Sequence, residues 1–402
     1  MGSKKIYNGY KAYGYLERGV DYKAYDMVPE LDRVPAYIVP VSKAEEERAQ
    51  RLLASSAVIS LHDHPTIYPT DLGQIFEFNR YGREHTAYEG LSVSGLDAVF
   101  DNMMDGVSTV TSNRGWKWTD IVHNIGMKVC DIEHQDFAFV CRKVADIQEA
   151  HETGRIAFVL VLESASMVEN ELDRIEILYG FGVRMMGLVY SESNMMGSGL
   201  KENRDGGLTQ LGHEAVKRMN KIGMAIDVSH AGTQTALDII EASERPVFIT
   251  HAGAKKVWDT RRMMTDEVIR NCAAKGGVIG IEAAPHSTLS RDHPSHSIDS
   301  VMDHFRYAVD LVGIDHASFG PDTLFGDHVG LHHVFRSFFS GKVAKTGPVP
   351  YEEVEYVRGI ENPAEAFPNI VRWLVRHGYS DEDIRKVIGG NVLRTLKGIW
   401  WR

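Results

Sequence analysis

Eight short apolar runs rich in β-branched residues punctuate the chain, at 57–61, 107–111, 156–162, 183–189, 224–228, 246–250, 277–281 and 317–320. Most are separated by longer stretches in which apolar residues return every three or four positions. Near-continuous apolar strands alternating with amphipathic helices predict a parallel sheet covered on both faces. The clearest helix spans 209–221 (TQLGHEAVKRMNK). Thr209 can cap it, Leu211, Ala215, Met219 and Ile222 form one stripe, and Gly223 marks the stop. Another precedes the first strand at 43–53 (KAEEERAQRLL), and two patterns follow the last, at 363–377 and 380–388. Residues 1–45 are rich in tyrosine (Tyr7, Tyr10, Tyr13, Tyr15, Tyr22, Tyr25) and have no clean period. They are expected to form an N-terminal arm packed on the body or on a neighbouring subunit. Eight strands with intervening helices point to one TIM-type (β/α)8 barrel over 46–402, closed by C-terminal helices. An open doubly wound sheet is the alternative, but no GxGxxG follows any of the runs.

A TIM-type barrel carries its chemistry at the C-terminal ends of its strands. Polar residues capable of chemistry stand at six of the eight ends: His62 and His64 after the first run, Glu163 after the third, Tyr190 after the fourth, His230 after the fifth, His251 after the sixth and Asp322 past the eighth. In the first, LHDHP, alternation puts His62 and His64 on one face and Asp63 on the other, and Pro65 ends the strand. Any one of these could be a hydrogen-bonded polar residue in a barrel mouth. Together, four histidines and a glutamate suit two divalent ions, zinc being the expected metal because imidazole and carboxylate both serve it. His62, His64 and Glu163 could hold one ion, and Glu163, His230 and His251 the other, with the carboxylate bridging. Such a pair shares and acidifies a water, and Asp322 is the natural proton carrier. His213, on the helix at 209–221, lacks the second histidine of HExxH and is expected at the surface; His328, His332 and His333 are loop residues and are left out of the site.

Composition narrows the partners. The 402 residues are 43% hydrophobic and 25% charged, ordinary for a globular enzyme, and the formal charge of −11 disfavours nucleic acid and acidic membrane surfaces. Cys130, Cys141 and Cys272 have no CxxC spacing and fit a reduced compartment. No apolar run reaches membrane-spanning length and MGSKKIYNGY has no signal-peptide core. The expectation is a cytoplasmic protein acting on a small molecule, a homodimer or larger assembly.

From 57 to 395 the chain resembles the membrane (renal) dipeptidase family, a branch of the metal-dependent amidohydrolase-type barrels. The resemblance rests on GGLTQLGHEAVKRMNKIGMAIDVSH (206–230), PVFITHAGAKKVWDTRRM (246–263) and YVRGIENPAEAFPNIVRWLVRHGYSDEDIRKVIGGNVLRTL (356–396). It implies a bridging role for Glu163, with His230 and His251 as zinc ligands, an acidic catalytic residue at Asp322 and a substrate-carboxylate arginine at Arg262. A planar guanidinium suits a carboxylate; Arg261 is a rival, and either could make a structural ion pair. Two departures stand out. The family pattern His-x-Asp reads His62-x-His64 here, making the site one unit more positive. Its substrate-contacting histidine on the fourth strand is Tyr190, a phenol able to donate to an oxyanion. Asn194, just beyond, could also reach substrate or simply form a turn. PDTLFG replaces an aspartate-rich eighth-strand motif.

Three functions compete. The first is cleavage of an amide in a small carboxylate-bearing substrate, dipeptides being the family default. The second turns the same machinery on a non-peptide amide, a cyclic amide or a lactone. The third is a non-catalytic binding protein on the same barrel, against which the complete ligand set and Asp322 argue.

Overall fold

Eight parallel strands pair in chain order in the computed structural model, which describes residues 5–103, 116–338, 348 and 350–400. They are β1 (Ile59–Asp63), β2 (Ala98–Asn102), β3 (Ile156–Leu162), β4 (Val183–Gly187), β5 (Ala225–Asp227), β6 (Phe248–Ala252), β7 (Val278–Ile281) and β8 (Ala317–Phe319). The last strand returns to the first through the residues just past it. The Asp322 N–H donates to the His62 carbonyl and the His64 N–H to the Thr323 carbonyl, each at 2.9 Å. At least one helix fills every crossover, and the result is a nearly closed (β/α)8 barrel.

All seven residues of β3, IAFVLVL, are buried, as a strand flanked on both faces requires. Each such aliphatic or aromatic side chain contributes roughly 1.5–3 kcal/mol relative to exposure. Two glycines let the strands close over the site. A Cβ on Gly187 would lie 2.3 Å from the Glu163 carbonyl oxygen, and one on Gly320 would lie 2.2 Å from that of Thr250. Larger residues there would force apart the strand ends that carry the functional side chains.

One predicted strand differs. The run at 107–111 lies outside the described residues, and the place beside β1 is taken by AVFDN at Ala98–Asn102. Its apolar stretch is brief and enclosed by Asp97, Asp101 and Asn102, so it does not stand out by hydropathy. Asp101 is held there by buried Lys128, whose Nζ lies 3.0 Å from its Oδ2. A short strand, Ala138–Val140, adds to the first half of β3. The helix expected at 209–221 is Gln210–Ile222, with the Thr209 hydroxyl accepting from the Gly212 N–H at 3.0 Å and Gly223 left-handed at φ 75°. The pattern at 363–377 forms Ala366–Arg376; that at 380–388 begins as Asp381–Arg385, passes through a π-turn and continues as Asn391–Lys397.

The N-terminal segment lies against its own barrel. Asp131 accepts from the Tyr10 hydroxyl at 2.7 Å and the Tyr13 N–H at 2.6 Å. Asn369 takes the Val39 N–H at 3.0 Å and donates to the Tyr37 carbonyl at 2.7 Å.

Candidate metal centre

The end of β1 supplies two imidazoles to one point. His62 Nε2 lies 3.4 Å from His64 Nε2, and Asp322 Oδ1 lies 3.3 Å and 3.2 Å from the same two nitrogens. Three donors so spaced form a face of a tetrahedron whose centre sits about 2.0–2.1 Å from each, the length of a zinc–imidazole bond. Asp63, on the opposite face of the strand, accepts from the Thr323 N–H and hydroxyl at 2.9 and 2.8 Å and so fastens β1 to the loop after β8. The Asn102 carbonyl lies 3.2 Å from His64 Nδ1. A carbonyl only accepts, so the proton sits on Nδ1 and the Nε2 lone pair is left for a cation.

Facing this trio is a second one. Glu163 Oε2 lies 2.7 Å from His230 Nε2 and 3.8 Å from His251 Nε2, while its Oε1 lies 3.9 Å from His62 Nε2. The two imidazole nitrogens are 2.9 Å apart. One carboxylate thus turns an oxygen to each group, the geometry of a bridging ligand. Behind His251 runs a relay: Thr250 Oγ1 donates to Asp227 Oδ2 at 2.7 Å, which leaves it to accept from His251 Nδ1–H at 2.7 Å. This again frees Nε2.

Burial pushes the pKa values of His62, His230 and His251 down, which favours the neutral ring, the form that binds a metal. Burial works to raise the Asp322 carboxyl, but the charge and hydrogen bond of His62 and the hydrogen bond of His64 outweigh it and hold it well below the usual carboxylate range. Asp322 also sits at φ 54°, a left-handed conformation costing of order 1–3 kcal/mol and typical of functional sites. Donor character, spacing and protonation all fit divalent ions bound by His62, His64, Asp322, Glu163, His230 and His251.

The remaining expected residues divide. The Tyr190 ring packs on His230, centroids 4.3 Å apart. Arg262 lies beside the second trio, its NH1 donating to the Ser229 carbonyl at 3.2 Å and its NH2 to the His251 carbonyl at 2.8 Å and to Glu282. Asn194 is turned to its own loop and to the one after β3. Its amide donates to Ser166 Oγ at 3.0 Å and the Leu188 carbonyl at 2.7 Å and accepts from the Met196 N–H at 2.8 Å.

Three neighbours went unnoticed in the sequence. Glu282, directly past β7, is fully buried; burial pushes its carboxyl up to about 7 despite the Arg262 guanidinium. Its signal was a carboxylate immediately after an apolar run, as with Glu163. Asn102 was hidden with its strand. His328, His332 and His333, expected in a loop, lie on the helix His328–Phe338, and His328 is buried with its ring centroid 6.3 Å from that of His64. His213 is exposed, as expected. Other buried histidines are structural: His304 takes the Ala254 N–H at 2.9 Å and donates to the Leu289 carbonyl at 2.8 Å.

The sequence model of the membrane dipeptidase family (Peptidase family M19) matches residues 46–336. The chain belongs to the membrane dipeptidase family. Among curated members it is 26% identical over 282 residues to "Dipeptidase verJ" of Clonostachys rogersoniana, covering 70% of this chain and 63% of that protein. To "Dipeptidase aclJ" of Aspergillus oryzae it is 27% identical, covering 69% and 59%. The chain therefore spans about three fifths of the length of these family members. Among solved structures, an amidohydrolase from Pseudomonas aeruginosa superposes with a TM-score of 0.70 at 25% identity, covering 88% of this chain and 99% of that one. A metallo peptidase from Rhodobacter sphaeroides, liganded with a phosphinate mimic of the dipeptide L-Ala-D-Ala, shares the fold at TM-score 0.64 and 17% identity, over 86% and 99%. The family is one of metal-dependent peptidases, and the described residues of this member hold clustered histidine and carboxylate donors in the barrel mouth. None of its described helices is long and apolar enough to cross a membrane.

Proposed function

We propose that the protein is a dinuclear, zinc-dependent hydrolase that cleaves the amide bond of a small carboxylate-bearing substrate, dipeptides being the nearest class. The observation that carries this is Glu163, set with one oxygen toward His62 and the other toward His230 and His251. Bound in this centre, divalent ions would act as Lewis acids on the scissile carbonyl and lower the pKa of water. Asp322, ionised and against both β1 histidines, takes the proton of the attacking water and returns it to the leaving amine. Tyr190 borders the carbonyl side, where a phenol O–H can support the developing oxyanion. Arg262 has N–H groups beyond the three it spends on protein acceptors, and these are available to a substrate carboxylate. Action in the cytoplasm and self-association belong to the same proposal.

The pairing of Arg262 with Glu282 favours a second substrate class. A guanidinium already facing a carboxylate attracts another less strongly, which suits an uncharged amide, cyclic amide or lactone.

Asp322→Asn tests the mechanism. It keeps an oxygen donor, and with zinc in saturating excess to hold the metal in place kcat is expected to fall by about 10²–10⁴. Near-normal turnover would assign the proton transfer elsewhere.

A further inference from the structure

Among the described residues that could hold a metal in this barrel mouth, Glu282 is the carboxylate that the family resemblance does not name. It is fully buried at the C-terminal end of β7, its N–H donating to the Ala252 carbonyl at 3.2 Å. One oxygen, Oε2, faces Arg262. The other, Oε1, is buried without a hydrogen-bond partner among the described residues. The Ser287 hydroxyl near it is committed to the Ala284 carbonyl at 2.6 Å. A carboxylate oxygen shut away from water with no donor is costly unless a cation or donor meets it. The metal centre lies beside this carboxylate: one oxygen of Glu282 and ligand atoms of His251 and Asp322 all fall within 4.8 Å of one another.

Charge gives the reason for it to be there. A His-x-Asp first strand would bring a carboxylate to the centre; His62-x-His64 brings none. Two divalent ions would then face only Glu163 and Asp322 among the six donors so far described. We propose that Glu282 is a carboxylate of the metal centre, facing it from the His251–Asp322 side and supplying the negative charge that His64 does not. Arg262, bonded to the same carboxylate, fixes its orientation in the way outer partners commonly fix metal ligands. The proposal rests on the reading of this site as a metal centre.

Zinc binding, measured by competition with a chromophoric chelator, separates the possibilities. Glu282→Gln keeps shape and loses charge; it is expected to weaken one of two zinc ions tenfold or more. The double variant Arg262→Gln/Glu282→Gln removes both charges and is expected to bind no better than Glu282→Gln alone. Zinc affinity at the wild-type level in either variant would overturn the proposal, recovery in the double variant meaning that Glu282 only balances Arg262. Where Glu282→Gln does not fold by circular dichroism, Glu282→Asp, which withdraws the carboxylate by one methylene, is expected to show the same loss, and unchanged affinity there would overturn the proposal equally. A wild-type chain that takes up no zinc would instead remove the metal centre, and Glu282's part with it.

Discussion

Arg262 divides its guanidinium between two backbone carbonyls, Glu282 and, in the proposed reaction, a substrate carboxylate. A hydrogen bond to a charged group contributes about 1.5–3 kcal/mol. Arg262→Ala is therefore expected to raise KM roughly tenfold to hundredfold for a dipeptide with a free carboxylate. For the corresponding dipeptide amide the rise should be much smaller. Equal effects on both would make Arg262 a strut for Glu282 rather than a substrate contact. At this scale His62, His64, Glu163, His230 and His251 could be picked out as candidate ligands, and Asp322 as a candidate proton carrier, because strand-end position and chemistry coincide in them. That Asp322 lies within ligand distance of both β1 histidines was not legible. Asn194 illustrates the opposite limit. A polar residue in a loop near the site has both roles open until its partners are known, and here two of its side-chain hydrogen bonds are local, to Leu188 and Met196, while the third reaches Ser166 past β3. Glu282 could have been found by applying the strand-end test to the seventh run, since it directly follows Ile281.

Among the elements, β3 and β4 meet closely where Glu163 emerges. Gly187→Ala would drive a methyl to within 2.3 Å of the Glu163 carbonyl oxygen, and relieving this must shift the backbone that aims Glu163. Overpacking of this kind costs about 1–3 kcal/mol. A lowered Tm together with reduced metal uptake is expected; wild-type values of both would mean that the strands accommodate the methyl without disturbing the ligand. Strands with uninterrupted apolar runs, β3 above all, could be read from hydropathy to within a residue or two. The helix Gln210–Ile222 could be read because Thr209 and Gly223 mark its ends. β2 could not. Its Asp101 is a buried charge neutralised by Lys128, 27 positions along the chain, and such long-range pairing leaves no local pattern.

Over the whole molecule, alternation of apolar runs with helical patterns was enough to predict a barrel, because one parallel sheet must bury both faces. How the N-terminal segment packs was not legible. Its tyrosines have no period, and the partners that hold it, Asp131 and Asn369, lie more than a hundred and more than three hundred residues away. What the nearly closed barrel achieves is convergence: side chains at the ends of β1, β3, β5 and β6 and in the loop after β8 meet in one buried cluster. Anomalous diffraction at the zinc edge from zinc-loaded crystals tests that meaning most directly. Two peaks about 3.5–4 Å apart are predicted, one against His62, His64 and Asp322, the other against His230 and His251, with Glu163 between them. A single peak, or zinc bound away from these side chains, would contradict the account.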